Sequence, residues 1–112
     1  MIIKYDERPW GNFKVFLDNE KATVKTLFIK KGEEISYQSH EHRDESWYII
    51  SGIGIVTLDD KEYELKSNDS IEIKRGQKHS VRGEEDVLIL EVSRGFFDEN
   101  DIIRYKDKYN RV

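Results

Sequence analysis

The sequence predicts an all-β domain, an antiparallel double-sheet barrel with little helix, and three observations carry that prediction. Apolar and polar residues alternate with period two in several short runs, which marks half-buried strands. Turn formers interrupt the runs every 8–12 residues or so, the rhythm of a sandwich or barrel. A chain of 112 residues has room for one hydrophobic core, so residues 1–112 read as a single domain.

In chain order, Arg8-Pro9-Trp10-Gly11 holds the only proline, placed before the first clean strand, where a missing backbone donor does no harm. Phe13, Val15 and Leu17 alternate with polar neighbours. Tyr63 and Leu65 alternate with Glu62, Glu64 and Lys66, and Ile71 and Ile73 with Ser70, Glu72 and Lys74. Val87-Leu88-Ile89-Leu90 is apolar on both faces, as a strand between two layers requires. Asp59-Asp60, Ser67-Asn68-Asp69, Arg75-Gly76 and Gly83 supply the turns. The tail offers a short C-terminal helix: Asp98 or Asp101 would cap it, with Ile102, Tyr105 and Tyr109 on one face.

Composition narrows the function classes. Apolar residues make up 37% and charged residues 38%, which describes a wet surface around a modest but real core. With 23 acidic and 19 basic residues, the net charge is −4 and no block of like charge stands out. That argues against nucleic acid and membrane partners, while leaving room for one phosphate held by a few local cations. Cysteine is absent, which removes thiolate metal sites, disulfides and thiol nucleophiles. No apolar run spans a bilayer, and Met1-Ile2-Ile3-Lys4-Tyr5-Asp6-Glu7 turns charged too early for a secretory signal. The expectation is a soluble, cytoplasmic protein.

The chemistry-bearing residues cluster. His40 and His42 are two apart, so on a strand they share a side with Gln38; Glu45 follows, and His79 lies far downstream after Arg75-Gly76. Nitrogen and oxygen donors without sulfur suit divalent first-row metals. Taken as residues alone, they fit equally well a pair of exposed histidines and a surface carboxylate.

Spacing adds a family resemblance. From Gly32 the chain runs five residues to Gln38, one to His40, four to Glu45 and six to Gly52. This resembles the first cupin motif, Gly-x5-His-x-His-x4-Glu-x6-Gly, with Gln in place of the first His. Gly76-x2-His79 resembles the core of the second motif, although Asn68, Lys74 and Gly83 depart from it at turn positions. The stretch from Gln38 to Trp47 is similar to that of type II phosphomannose isomerases, which also form the C-terminal domain of bifunctional mannose-1-phosphate guanylyltransferases. Arg8-Pro9-Trp10-Gly11 and the segment from Asp101 to Arg111 resemble that family's opening and closing motifs. Ser46 stands where the family commonly has His.

The resemblance implies a cupin double-stranded β-helix (jelly-roll) barrel with one divalent metal on Gln38, His40, Glu45 and His79. Zinc leads as the metal, ahead of manganese, iron, cobalt or nickel. It further implies a metal-dependent isomerase interconverting mannose 6-phosphate and fructose 6-phosphate. His42 and Glu45 are the candidate proton carriers. Arg8, Arg43, Arg104 and Arg111 are the candidate phosphate anchors, since an Arg fork matches phosphate oxygens. The same resemblance admits a non-catalytic sugar-phosphate or nucleotide-sugar binding module, or another metal-dependent cupin enzyme such as a dioxygenase. A homodimer is expected because small cupins commonly pair, and Met1 to Tyr5 could give a neighbour an edge strand.

Overall fold

A computed structural model describes residues 3–108. Eleven strands form in chain order among them: β1 (Lys4–Arg8), β2 (Gly11–Val15), β3 (Thr23–Ile29), β4 (Tyr37–Ser39), β5 (Arg43–Ser51), β6 (Ile53–Leu58), β7 (Lys61–Lys66), β8 (Ser70–Ile73), β9 (His79–Gly83), β10 (Val87–Gly95) and β11 (Ile103–Lys106). They make a four-stranded sheet ordered β3-β10-β5-β8 and a five-stranded sheet ordered β11-β4-β9-β6-β7, with β1-β2 as a separate hairpin.

The turns behave as their residues dictate. Asp59 and Asp60, both at positive φ, make the two-residue loop that joins β6 to β7, the backbone twist that tight hairpins favour. Gly52 separates β5 from β6 at φ 84°, and a Cβ there would overlap the Asp86 carbonyl. Only glycine fits. Side chains from both sheets meet in one core of Ile29, Trp47, Ile49, Val56, Ile73, Val81, Val87 and Ile89. Val87 and Ile89 face it while Leu88 and Leu90 are half-buried on the other side of β10, as a run apolar on both faces requires.

Two expectations about the fold are corrected. The all-β, double-stranded β-helix-like arrangement is present, but no sheet closes into a barrel. The ladders stop at edge strands β3 and β8 in one sheet and at β11 and β7 in the other. Among the described residues, only the isolated bridges Lys31–Gly83 and Glu34–Arg82 lie outside the named strands. The opening between β3 and β11 holds a cavity, described below, and a continuous ladder there would seal it.

The C-terminal helix is also absent; no described residue is helical, and so no helix is long and apolar enough to cross a membrane. Ile103–Lys106 pairs instead with β4, Ile103 opposite Ser39 and Arg104 opposite Gln38. Ile and Tyr favour strands, and without β11 the short strand β4 would present an open edge. Tyr109, the third residue of the expected helical face, lies outside the described residues. So do Met1 and Ile2 of the expected exchangeable edge, while Lys4–Arg8 is paired within the chain to β2.

Candidate metal centre

Ladder register brings the centre together. On the five-stranded sheet, Arg104, Gln38 and His79 sit opposite one another across β11, β4 and β9. On the four-stranded sheet, Lys25, Glu91 and Trp47 form a second row across β3, β10 and β5. Glu45 is two residues before Trp47, so both point inward. His40 follows β4 directly. Gly76, at φ 80°, donates its N–H to the His40 carbonyl at 2.8 Å and so ties the two motif segments together.

His40, Glu45 and His79 are all buried, and one potential ligand atom from each lies within 4.8 Å of the others. Both rings are oriented for coordination. His79 Nδ1 lies 3.0 Å from the Gln77 carbonyl and His40 Nδ1 2.6 Å from the Asp101 carbonyl. A carbonyl can only accept, so each Nδ1 carries the proton and each Nε2 presents a lone pair. His79 Nε2 is buried with no hydrogen-bond partner, 3.6 Å from Glu45 Oε1, while His40 Nε2 is 3.4 Å from Glu45 Oε2. Burial pushes the His79 pKa down to about 4 and lowers that of His40. Both imidazoles are therefore neutral near pH 7, the ligand form. An orphaned lone pair, a neutral second imidazole and a buried carboxylate fit a divalent cation. This is a two-His, one-Glu metal-binding site. Gln38 faces the same cavity beside His79, and its Oε1 accepts from Ser36 Oγ at 3.1 Å.

The surroundings hold the carboxylate. Arg43 donates from Nε to Glu45 Oε2 at 2.9 Å and from Nη1 to the Asp98 carbonyl at 3.1 Å. Its Nη2 is 3.2 Å from His40 Nε2. One lone pair serves one partner, so a cation on His40 displaces that last contact. Trp47 Nε1 is shared between Glu45 Oε1 at 3.2 Å and Glu91 Oε1 at 3.1 Å. The Trp47 ring meets His79 edge-on at 5.6 Å. Burial, followed by the charge of Glu45, raises the Glu91 pKa. Residues 96–102 form a strap that lends Phe97, Glu99, Asn100 and Ile102 to the cavity wall. The Asp101 carboxylate pins it by accepting the Glu41 and His42 N–H groups at 2.9 and 3.0 Å. Burial opposes ionisation of Asp101, but those two bonds outweigh it and lower its pKa.

A cavity of about 680 Å³ takes in Gln38, His40, Arg43, Glu45 and Arg104 of the residues expected from the sequence. His42 is exposed and lines a separate cavity with Arg75, Phe96 and Asp98. Arg8 is on the hairpin, paired with Asp6 at 2.9 Å and stacked on Phe13. Arg111 lies outside the described residues. Sequence reading missed Lys25, Glu91 and Phe97, which also line the main cavity. Their signal was available: Lys25 precedes Leu27 and Ile29, and Glu91 follows Val87 and Ile89, each a charge at an inward position of an alternating strand.

The model of the family described as mannose-6-phosphate isomerase C-terminal matches residues 4–107. Mannose-1-phosphate guanylyltransferase 2 of Escherichia coli O157:H7 is 40% identical over 105 residues, covering 91% of this chain and 22% of that protein. Mannose-1-phosphate guanylyltransferase of Klebsiella pneumoniae is 38% identical over 107 residues, covering 93% of this chain and 23% of that protein. The chain thus spans less than a quarter of the length of these curated relatives. A solved Klebsiella pneumoniae protein with a double-stranded β-helix domain superposes with a TM-score of 0.69 at 21% identity, over 81% of this chain and 75% of that one. At that identity the likeness is one of fold.

Proposed function

This chain belongs to the mannose-6-phosphate isomerase C-terminal family, a cupin-fold group, and from that premise we propose that it is a metal-dependent aldose–ketose isomerase interconverting mannose 6-phosphate and fructose 6-phosphate. The observation that carries the reading is a two-His, one-Glu donor set opening into a cavity large enough for a hexose phosphate. His40, Glu45 and His79, with Gln38, would hold the ion, for which zinc suits the donors. When bound, a divalent ion supplies positive charge for the sugar oxygen beside the migrating proton.

The chain's own residues do the rest. Trp47 and Arg43 fix the Glu45 carboxylate, and the strap orients the His40 ring through the Asp101 carbonyl. A cationic side chain on the wall, Arg104 foremost, anchors the phosphate. Proton transfer falls to a carboxylate of the cavity, Glu45 or Glu91, because His42 faces elsewhere. In this reading the protein works as a homodimer, which sedimentation at micromolar concentration tests.

Metal-replete protein should convert mannose 6-phosphate, lose activity to a chelator and regain it with a divalent ion. Conversion in heavy water should leave some label at the carbon next to the carbonyl. The position of His42 outside the cavity favours a second reading, a sugar-phosphate binding module. Tight binding by fully metallated protein with no turnover over hours would establish that reading in place of the first.

A further inference from the structure

Four arginines were the expected anchors for a phosphate, and among the described residues one of them has a buried N–H left unmet. Arg8 is away on the hairpin and Arg111 lies outside the described residues. Arg43 is in the cavity, but its Nε and Nη1 are engaged by Glu45 and the Asp98 carbonyl, and only Nη2 is released when a cation takes His40. Arg104 remains. It lines the cavity, and its Nε is buried without a hydrogen-bond partner. A buried guanidinium N–H left unmet marks a place for an acceptor.

One guanidinium does not neutralise a phosphate monoester, which carries close to two negative charges near pH 7. The second cation comes from the other sheet. Lys25 stands on edge strand β3, as Arg104 stands on edge strand β11, so the two occupy the strands that border the opening between the sheets. Its Nζ lies 3.3 Å from Glu91 Oε2 and 5.0 Å from the centre of the Phe97 ring. The Glu91 contact is an ion pair and not an aligned hydrogen bond, because Oε2 has no hydrogen-bond partner. The ammonium thus keeps donors for a ligand.

Charge bookkeeping of the whole cavity agrees. Its lining carries Lys25, Arg43 and Arg104 against Glu45, Glu91 and Glu99. These cancel, so a divalent ion on the His-Glu set leaves two uncompensated positive charges. A dianion restores the balance.

We propose that Lys25 and Arg104 form a two-sided clamp for the phosphate group of the ligand, one jaw on each sheet, with Lys25 the specificity-determining half that the arginine pattern conceals. The clamp rests on the reading that the ligand is a sugar phosphate. The test measures calorimetric binding of mannose 6-phosphate, free mannose and inorganic phosphate to metal-loaded protein, alongside metal content and circular dichroism. Lys25→Met and Arg104→Met should each weaken mannose 6-phosphate binding roughly tenfold to a hundredfold, the range of a lost charged hydrogen bond. Free mannose should change less than twofold, as should every ligand with Lys61→Met on the far edge strand β7. Lys25→Arg should recover most of the affinity, which a folding defect would not allow.

If Lys25→Met leaves mannose 6-phosphate affinity within twofold, or weakens free mannose equally, the clamp is overturned. If wild-type protein binds inorganic phosphate through both residues but not mannose 6-phosphate, the clamp stands and the isomerase reading falls. Binding of neither overturns both.

Discussion

The space between the two sheets has a dry end and a wet end, built by the same strands. On β10 the inward positions run Val87, Ile89, Glu91 and Ser93; on β5 they run Ile49, Trp47 and Glu45; on β9 they run Val81 and His79. Alternation continues without a break, while the chemistry changes from aliphatic to ionisable within two positions. Trp47 stands at the border. Its ring packs on His79 and its N–H bonds both buried carboxylates. One pattern of burial therefore serves two ends: apolar contact stabilises one, and mutual hydrogen bonding keeps the other tolerable.

That division should be open to separate attack at each end. The largest effect belongs to His79→Ala, which should abolish stoichiometric metal measured by elemental analysis; retained metal would dissolve the wet end as a centre. Ile89→Ala should cost about 2–5 kcal/mol in denaturant unfolding, as large-to-small changes in packed cores do, yet leave one metal per folded chain.

Acid comes next. In metal-free protein, the unfolded His79 ring takes a proton near pH 6.5 and the folded one at about 4. Over that window the unfolded state binds more protons, so stability falls as pH falls. The fall from 6.5 to about 4 corresponds to about 3 kcal/mol from this ring alone. His40 acts in the same direction. Glu91 acts against it, because its raised folded pKa makes protonation favour the folded state. Unfolding curves at pH 7 and pH 4.5 should differ in wild type, and the difference should shrink in His79→Gln. The smallest effect is at the border: Trp47→Phe keeps most of the ring and deletes the shared N–H. It should cost about 1–3 kcal/mol and weaken metal binding, with the aliphatic end unchanged by hydrogen exchange.

Much of this division can be read from the sequence, and the limits have physical causes. Period-two runs located β7 and β8, a run apolar on both faces located β10, and Asp59-Asp60 located the tight turn, because these signals are local. His40, Glu45 and His79 were legible through spacing, since register on neighbouring strands turns fixed separations into proximity. His42 follows β4 in the bend before β5, where strand alternation no longer governs direction, so its spacing from His40 does not by itself fix which cavity it lines. The tail looked helical because Ile102 and Tyr105 suit a period of three to four, but the open edge of β4 decided otherwise. Lys25 and Glu91 went unread because a lone charge in an alternating strand declares its face only once the other sheet is known. The unclosed seam is likewise a property of both edges together.

The strap carries a consequence for the order of assembly. His40 is oriented by the carbonyl of Asp101, a partner 61 residues later in the chain, and Gln38 is flanked by Arg104. Closing so long a loop is an entropic cost met late, after local pairing has formed. While the chain leaves the ribosome, Glu45 and His79 can already have their places between the sheets when β10 emerges. The ring of His40 cannot have its final orientation until residues beyond Gly95 have followed. Metal capture in its mature geometry is therefore an event of the finished domain, and a nascent chain stopped at Gly95 would offer an ion only a partial, poorly directed set of ligands.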